Sequence, residues 1–208
     1  MANYDEKNGF IAVKTASGHV PCPSNYPYTV ADSVTLMPNE VVSIVDSGDS
    51  IVIQRAAASD NGKILGVMCA PTKPGINYIS ATETTRTVTV YTDPSIQYRA
   101  QFDDGAGGAE YPAADVIGCS VDMVGTAGTT KEGKDGIVFG YAQDELDTSS
   151  ILPTNGTAVS TGNVKIVAWD PADDNIHDGT ANAKWAKAIV QINEGVMAAA
   201  TLSTARTA

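Results

Sequence analysis

The two histidines are the only side chains in this sequence that could act as imidazole bases, and their surroundings argue against a hydrolytic site. His19 lies in a stretch rich in proline, and His177 lies in a stretch rich in aspartate. A Ser-His-Asp type of site needs a histidine that is held beside its nucleophile by well-ordered neighbours. The sequence therefore predicts no catalytic residues, and we expect the protein not to be an enzyme.

Cysteine and histidine are also the residues that bind zinc, and His19 and Cys22 have the spacing of half a zinc site. A closed zinc site needs four ligands, and the two other cysteines, Cys69 and Cys119, lie far apart in apolar segments. The odd number of cysteines and their wide spacing match no disulfide framework. We therefore expect three reduced thiols, no metal and no disulfide.

Carboxylates and glycines are the remaining residues that could bind a ligand. Four aspartates fall within nine residues, which is the kind of oxygen cluster that calcium prefers, but their spacing does not match a calcium-binding loop: Asp170, Asp173, Asp174 and Asp178. The glycine-rich segments 105–108 and 125–136 lack the strand, loop and helix order of a phosphate-binding loop. We interpret all three segments as solvated loops, and we predict no cofactor.

Aromatic residues concentrate near the N-terminus, where they are candidates for contact with a partner. They are Tyr4, Phe10, Tyr26 and Tyr28, and three prolines lie between positions 21 and 27. Proline at this density excludes regular structure, and large rings contribute much contact area at interfaces. The alternative is that these rings pack on the protein's own sheet.

The remaining apolar residues fall in short runs that are typical of β-strands. The predicted strands are 34–36, 41–45, 51–53, 63–69, 86–92, 96–102, 137–141, 164–169 and 185–192. Turn residues at 46–49 and at 93–94 predict two hairpins, one formed by 41–53 and one by 86–102. Any helix is expected to be short, for example at 113–117.

Many short strands without a repeated βαβ spacing predict a mainly β protein, an antiparallel β-sandwich or barrel with long loops and an extended N-terminal arm. The predicted divisions are an arm at 1–28, a β-rich domain at 29–196 and a flexible C-terminal tail at 197–208. Within the domain, 103–109, 125–136 and 147–163 are predicted loops.

The charge and hydropathy of the chain exclude two classes of partner. Twenty-four acidic and thirteen basic residues give a formal charge of −11, which disfavours binding to the phosphates of nucleic acids. The sequence has no secretory signal and no apolar stretch of about 18 residues, so we predict no membrane association and synthesis in a cytoplasm.

Three segments between positions 40 and 194 resemble the head decoration proteins of tailed bacteriophages. The first, 41–70, is a hydrophobic hairpin followed by a small-residue turn and the strand Ile64-Leu-Gly-Val67. The second, 88–102, contains an Asp-Pro turn followed by Tyr98-Arg-Ala-Gln101. The third is a closing strand, an Asp/Asn loop and a final strand, spanning 163–193.

This resemblance implies a non-enzymatic virion protein that binds the outer surface of an assembled capsid and stabilises it. The implied partners are the major capsid protein and further copies of the chain, and the expected location is the virion surface after synthesis in the host cytoplasm. The alternative is a glycan- or receptor-binding module, such as a head fibre or adhesin-like domain. In that case the predicted loops would be the recognition surface.

Overall fold

The computed structural model describes residues 3, 5–47, 50–57, 60, 63–103, 112, 114–151, 162–172 and 175–193. These residues form a mainly β protein with several antiparallel sheets, as the sequence predicts. No sheet in these ranges closes into a barrel, and the arrangement is consistent with a β-sandwich-like fold. No helix in the same ranges is long and apolar enough to cross a membrane.

Fourteen strands and three short 3-10 turns make up the regular structure of the described residues. The strands of the first half are β1 Ile11–Thr15, β2 Tyr28–Thr29, β3 Val41–Ser47, β4 Ser50–Arg55, β5 Ile64–Pro71, β6 Thr87–Tyr91 and β7 Ile96–Gln101. Those of the second half are β8 Ser120–Val121, β9 Met123–Val124, β10 Thr129–Glu132, β11 Val138–Tyr141, β12 Glu145–Leu146, β13 Val164–Trp169 and β14 Lys187–Ile192. The 3-10 turns are Ala114–Val116, Thr148–Ser150 and Ala181–Ala183.

Two five-stranded sheets carry the two hydrophobic cores. One sheet has the order β1-β7-β14-β13-β8, and the other has the order β2-β6-β5-β3-β4. The larger core includes Tyr98 and Val190 of the first sheet together with Val67 of the second. The smaller core is built mainly on the second sheet, around Met68 and Val88.

Gly66 in β5 is a point of close backbone approach. A Cβ atom at this position would lie 1.9 Å from the backbone oxygen of Tyr91 in the neighbouring strand β6. The register between β3 and β5 also shifts here, from Val42 opposite Gly66 to Ser43 opposite Ile64. Only glycine therefore fits this bulge without moving the backbone of β6.

The prediction of a hairpin at 86–102 is wrong, although both of its strands exist. β6 pairs with β2 and β5 in one sheet, whereas β7 pairs with β1 and β14 in the other. The Asp93-Pro94 turn therefore carries the chain from one sheet to the other. Period-two alternation shows that a strand has a buried face, but it does not say which strand lies beside it.

Several residues of the predicted N-terminal arm belong to the β-sheet body. β1 pairs antiparallel with β7, and the ring of Phe10 is fully buried, edge-on to Tyr98 with ring centroids 6.4 Å apart. The prediction of a separate arm at 1–28 is therefore wrong for residues 10–15. An apolar run beside a sheet edge gains more by completing the sheet than by extending into water.

Candidate functional site

The β10–β11 hairpin is the most exposed regular element among the described residues, and it lies partly within a segment predicted to be a loop. Thr129 pairs with Tyr141 and Glu132 pairs with Val138, and the Gly133 N–H donates to Ile137 O at 2.7 Å to close the turn. Every residue of β10 is exposed. The two strands form a separate two-stranded sheet.

Two glycines define the face of the hairpin that is turned toward the body. A Cβ atom at Gly128 would lie 2.4 Å from Cγ of Met37, and one at Gly140 would lie 2.3 Å from Sδ of the same Met37. Met37 is buried. The glycines therefore let the base of the hairpin rest directly on the core.

The opposite face of the hairpin carries three large apolar side chains. Because side chains alternate along a strand, Ile137, Phe139 and Tyr141 point away from the side on which Gly140 meets Met37. Their exposed fractions are 47%, 38% and 38%. The Nζ atom of Lys131 lies 5.7 Å from the centre of the Tyr141 ring. We call Ile137, Phe139, Tyr141 and Lys131 the outer face.

A cluster of exposed apolar side chains is a candidate binding surface, since burying it in a complex removes it from water. Phe139 and Tyr141 are also two residues apart on one strand, so their rings lie on the same side. The outer face can therefore contact a flat partner surface or stack against a planar ligand.

Two buried carboxylates hold the base of the hairpin on the body. Oε1 of Glu40 accepts from Gly128 N at 3.0 Å, just before β10, and its Oε2 accepts from Met37 N at 2.7 Å. After β11, Oδ2 of Asp144 accepts from Val41 N at 2.8 Å. Both ends of the hairpin are thus fixed at the start of β3.

Burial raises the pKa of both carboxyl groups. The pKa of Glu40 rises to about 7 and that of Asp144 to about 8, because removal from water disfavours the charged form. The negative charge of Glu40 raises the pKa of Asp144 further, and Arg55 acts in the opposite direction on both groups. At neutral pH this pair therefore carries less than two full negative charges.

The four aromatic residues predicted as partner contacts lie in different environments. Phe10 is inside the protein's own core, and Tyr28 is half-buried in β2. Tyr26 is 80% exposed, in the segment 16–27 that joins β1 to β2. Tyr4 lies outside the described residues. The structure thus presents Tyr26 to solvent. The ring of Phe10 instead packs on the protein's own sheet, which was the alternative to contact with a partner.

The acidic segment 170–178, weighed above as a calcium site, makes an ion pair, hydrogen bonds and a ring contact within the protein. Asp170 lies 3.7 Å from Arg99, and Asp178 accepts from the N–H and hydroxyl of Thr180, which lowers its pKa. The imidazole of His177 stacks on Trp169, with ring centroids 4.4 Å apart. Asp173 and Asp174 lie outside the described residues. Within the described ranges, no group of three or more potential metal ligands is found.

The three cysteines are free thiols in three different environments. Cys22 is exposed, Cys69 is half-buried and Cys119 is buried in the larger core. His19, the possible zinc partner of Cys22, instead has its Nδ1 atom 3.0 Å from the hydroxyl of Ser17.

The sequence predicts a strand at 137–141 but does not distinguish the outer face from a core strand. The one feature of the sequence that could indicate an exposed strand is its position between two glycine- and threonine-rich segments. Glu40 and Asp144 are far apart in the sequence and carry no motif, so nothing in the sequence pairs them. Comparisons with protein-family models, with curated proteins and with solved structures find no match for this chain.

Proposed function

We propose that this protein is a non-enzymatic structural component of a phage particle, which binds the outside of the assembled capsid and stabilises it. The resemblance of residues 40–194 to head decoration proteins supports this function. The observation that carries the proposal furthest is the outer face, because it exposes three large apolar side chains within five residues. The major capsid protein is its proposed partner, and several copies act together on the shell.

The energetics of such a role require only binding, without catalysis. A protein that binds the assembled shell but not the free subunits shifts the equilibrium toward the intact particle by mass action. Many identical contacts on one particle also act together, so each contact can be weak.

The charge distribution fits a contact through the hairpin. The charged residues of 128–141 are Lys131, Lys134, Glu132 and Asp135, so two positive and two negative charges cancel. The formal charge of −11 therefore belongs to the rest of the chain. A hairpin without net charge can approach a coat surface without long-range repulsion, while the acidic body is attracted to basic regions around it.

The direct test is co-sedimentation of the purified protein with undecorated capsids. We expect the wild-type protein to pellet with capsids and to raise the temperature at which they open. In the double variant Phe139→Ser with Tyr141→Ser, we expect affinity to fall at least tenfold, because two anchors of the contact are removed. Free coat subunits should bind the wild-type protein only weakly.

A matched control is Ile51→Ser, which removes another exposed apolar side chain, at the tip of the β3–β4 hairpin and 75% exposed. This variant should pellet like the wild type. If Ile51→Ser and the double variant lose affinity equally, the outer face is not the contact. If the wild-type protein does not pellet even at low salt, the proposed function is wrong.

A glycan-binding function is the second candidate, and one observation favours it. Part of the predicted loop 125–136 forms β10, which pairs with β11. β11 carries two exposed rings, Phe139 and Tyr141, on which sugars could stack. Binding of the wild-type protein to a defined set on a glycan array, lost in the double variant, would favour this function over capsid binding. No array signal together with capsid pelleting would exclude it.

A further inference from the structure

The base of the hairpin has one buried polar atom whose hydrogen-bonding potential is unmet. Asp144 is 1% exposed, and its Oδ2 is satisfied by Val41 N. Its Oδ1 makes no hydrogen bond of normal geometry with the described residues, although the backbone N–H of Thr126 acts on the carboxyl and is the weakest of the influences that lower its pKa. A buried carboxylate oxygen without a donor is costly when it is charged, whereas a proton on this oxygen removes the charge.

Glu40 differs from Asp144 because both of its oxygens accept hydrogen bonds from backbone N–H groups. These donors stabilise the charged form of Glu40. Asp144 accepts one hydrogen bond of normal geometry where Glu40 accepts two, so of the two groups Asp144 is the better site for a proton. Among the described residues, Arg55 at the end of β4 also acts on both carboxyls, and its positive charge opposes their protonation.

We propose that Asp144 and Glu40 form a proton-dependent latch that seats the β10–β11 hairpin on the body. With a proton on Oδ1 of Asp144, both ends of the hairpin stay fixed at the start of β3. When that proton leaves, two buried negative charges face a single arginine, and the residues on either side of the hairpin move to let water reach them.

The working range of the latch follows from burial. Because the pKa of Asp144 rises to about 8, the proton is held at neutral pH and is lost under mildly alkaline conditions. The outer face lies between the two latched ends, so its orientation relative to the body becomes less fixed when the latch opens. This inference does not depend on the proposed function, since it concerns only the hairpin and its attachment.

Hydrogen-deuterium exchange of the full-length protein tests the latch. We expect the protection factors of amides at 126–144, corrected for intrinsic exchange, to fall at least tenfold between about pH 6.5 and about pH 9, in the range where Asp144 loses its proton. Strand β14 serves as the internal reference and should keep its protection. Equal changes in the hairpin and in β14, or no change in either, would overturn the proposal.

Substitution of Asp144 separates the proton from the hydrogen bond. In Asp144→Asn, an amide oxygen still accepts from Val41 N and position 144 stays neutral, so hairpin protection should change much less between the two pH values than in the wild type, with only Glu40 left to titrate. The matched control is Asp115→Asn, the same change at an exposed position, which should behave like the wild type. If Asp144→Asn retains the full pH effect, the proton does not reside on Asp144 and the latch is refuted.

Discussion

At Glu40 and Asp144, carboxylate oxygens supply the hydrogen-bond acceptors that the backbone N–H groups of Met37, Gly128 and Val41 need. If these carboxylate oxygens were removed, the three backbone N–H groups would lose their hydrogen-bond acceptors in or near the core. The cost is the burial of two acidic groups near each other, which shows as a raised pKa for both. The hydrogen bonds that attach the hairpin therefore come with the electrostatic cost of two buried carboxyl groups.

This penalty predicts how stability depends on pH. In the unfolded chain both carboxyls ionise near their ordinary values, 4.5 for Glu40 and 3.8 for Asp144, whereas the folded chain retains their protons to about 7 and about 8. Between these limits the folded state binds more protons, so the free energy of unfolding decreases as pH rises. Thermal denaturation should give a higher Tm near pH 5.5 than near pH 8.5.

The control for this dependence is Asp144→Asn, whose Tm should vary less over the same range. Groups with a lowered pKa, Glu83 at about 2 and also Asp178, act in the opposite direction only at lower pH, as they become protonated. A Tm that rises steadily from pH 5.5 to pH 8.5 would contradict the prediction.

At the scale of elements, the N-terminal strand is the clearest case in which position in the fold overrides local sequence. β1 lies at the edge of the first sheet beside β7, and Phe10 immediately before it lies in the larger core. The following segment, 16–27, bonds to the second sheet through Ser24 N and Val90 O at 2.8 Å. The first thirty residues therefore connect both sheets.

Removal of residues 1–28 is therefore expected to destabilise the body, because it deletes a strand and a core ring. The cleaner comparison is between single substitutions. Phe10→Ala should lower the free energy of unfolding by about 3 to 5 kcal/mol, and Tyr26→Ala by less than about 0.5 kcal/mol, because only the first leaves a cavity. Urea denaturation of the two variants measures both values.

Tyr26→Ala also tests the N-terminal segment as a partner contact without disturbing the fold. Equal urea midpoints for Phe10→Ala and the wild type would show that Phe10 is not a core residue. Reduced co-sedimentation of Tyr26→Ala with capsids, at unchanged stability, would place this segment in the contact together with the outer face.

At the scale of the whole molecule, the main feature is that the net negative charge lies outside the hairpin that carries the outer face. The chain carries a formal charge of −11, but the hairpin that exposes Ile137, Phe139 and Tyr141 is neutral. A partner that buries the outer face therefore gains the hydrophobic contribution locally, while the acidic body adds a longer-ranged electrostatic contribution.

These two contributions respond differently to salt, which gives a prediction for capsid binding. Between about 50 mM and about 500 mM NaCl, we expect the association rate to fall several-fold because screening shortens the reach of the acidic body. The dissociation rate should change much less, since three of the four side chains of the outer face are apolar. Light scattering or surface-based kinetics with immobilised capsids measures both rates, and an association rate that rises with salt would contradict the prediction.

The sequence by itself determined the β class, most strand positions and the hairpin at 41–53, because alternation and turn chemistry are local properties of the chain. It did not determine which strands pair: the chain at Asp93-Pro94 crosses between sheets instead of closing a hairpin, and Phe10 enters the core instead of an arm. It also did not show that Gly128 and Gly140 rest on Met37, or that Glu40 lies near Asp144. These contacts join residues distant in the sequence, so only the tertiary structure decides which strand faces water and which carboxylates are buried.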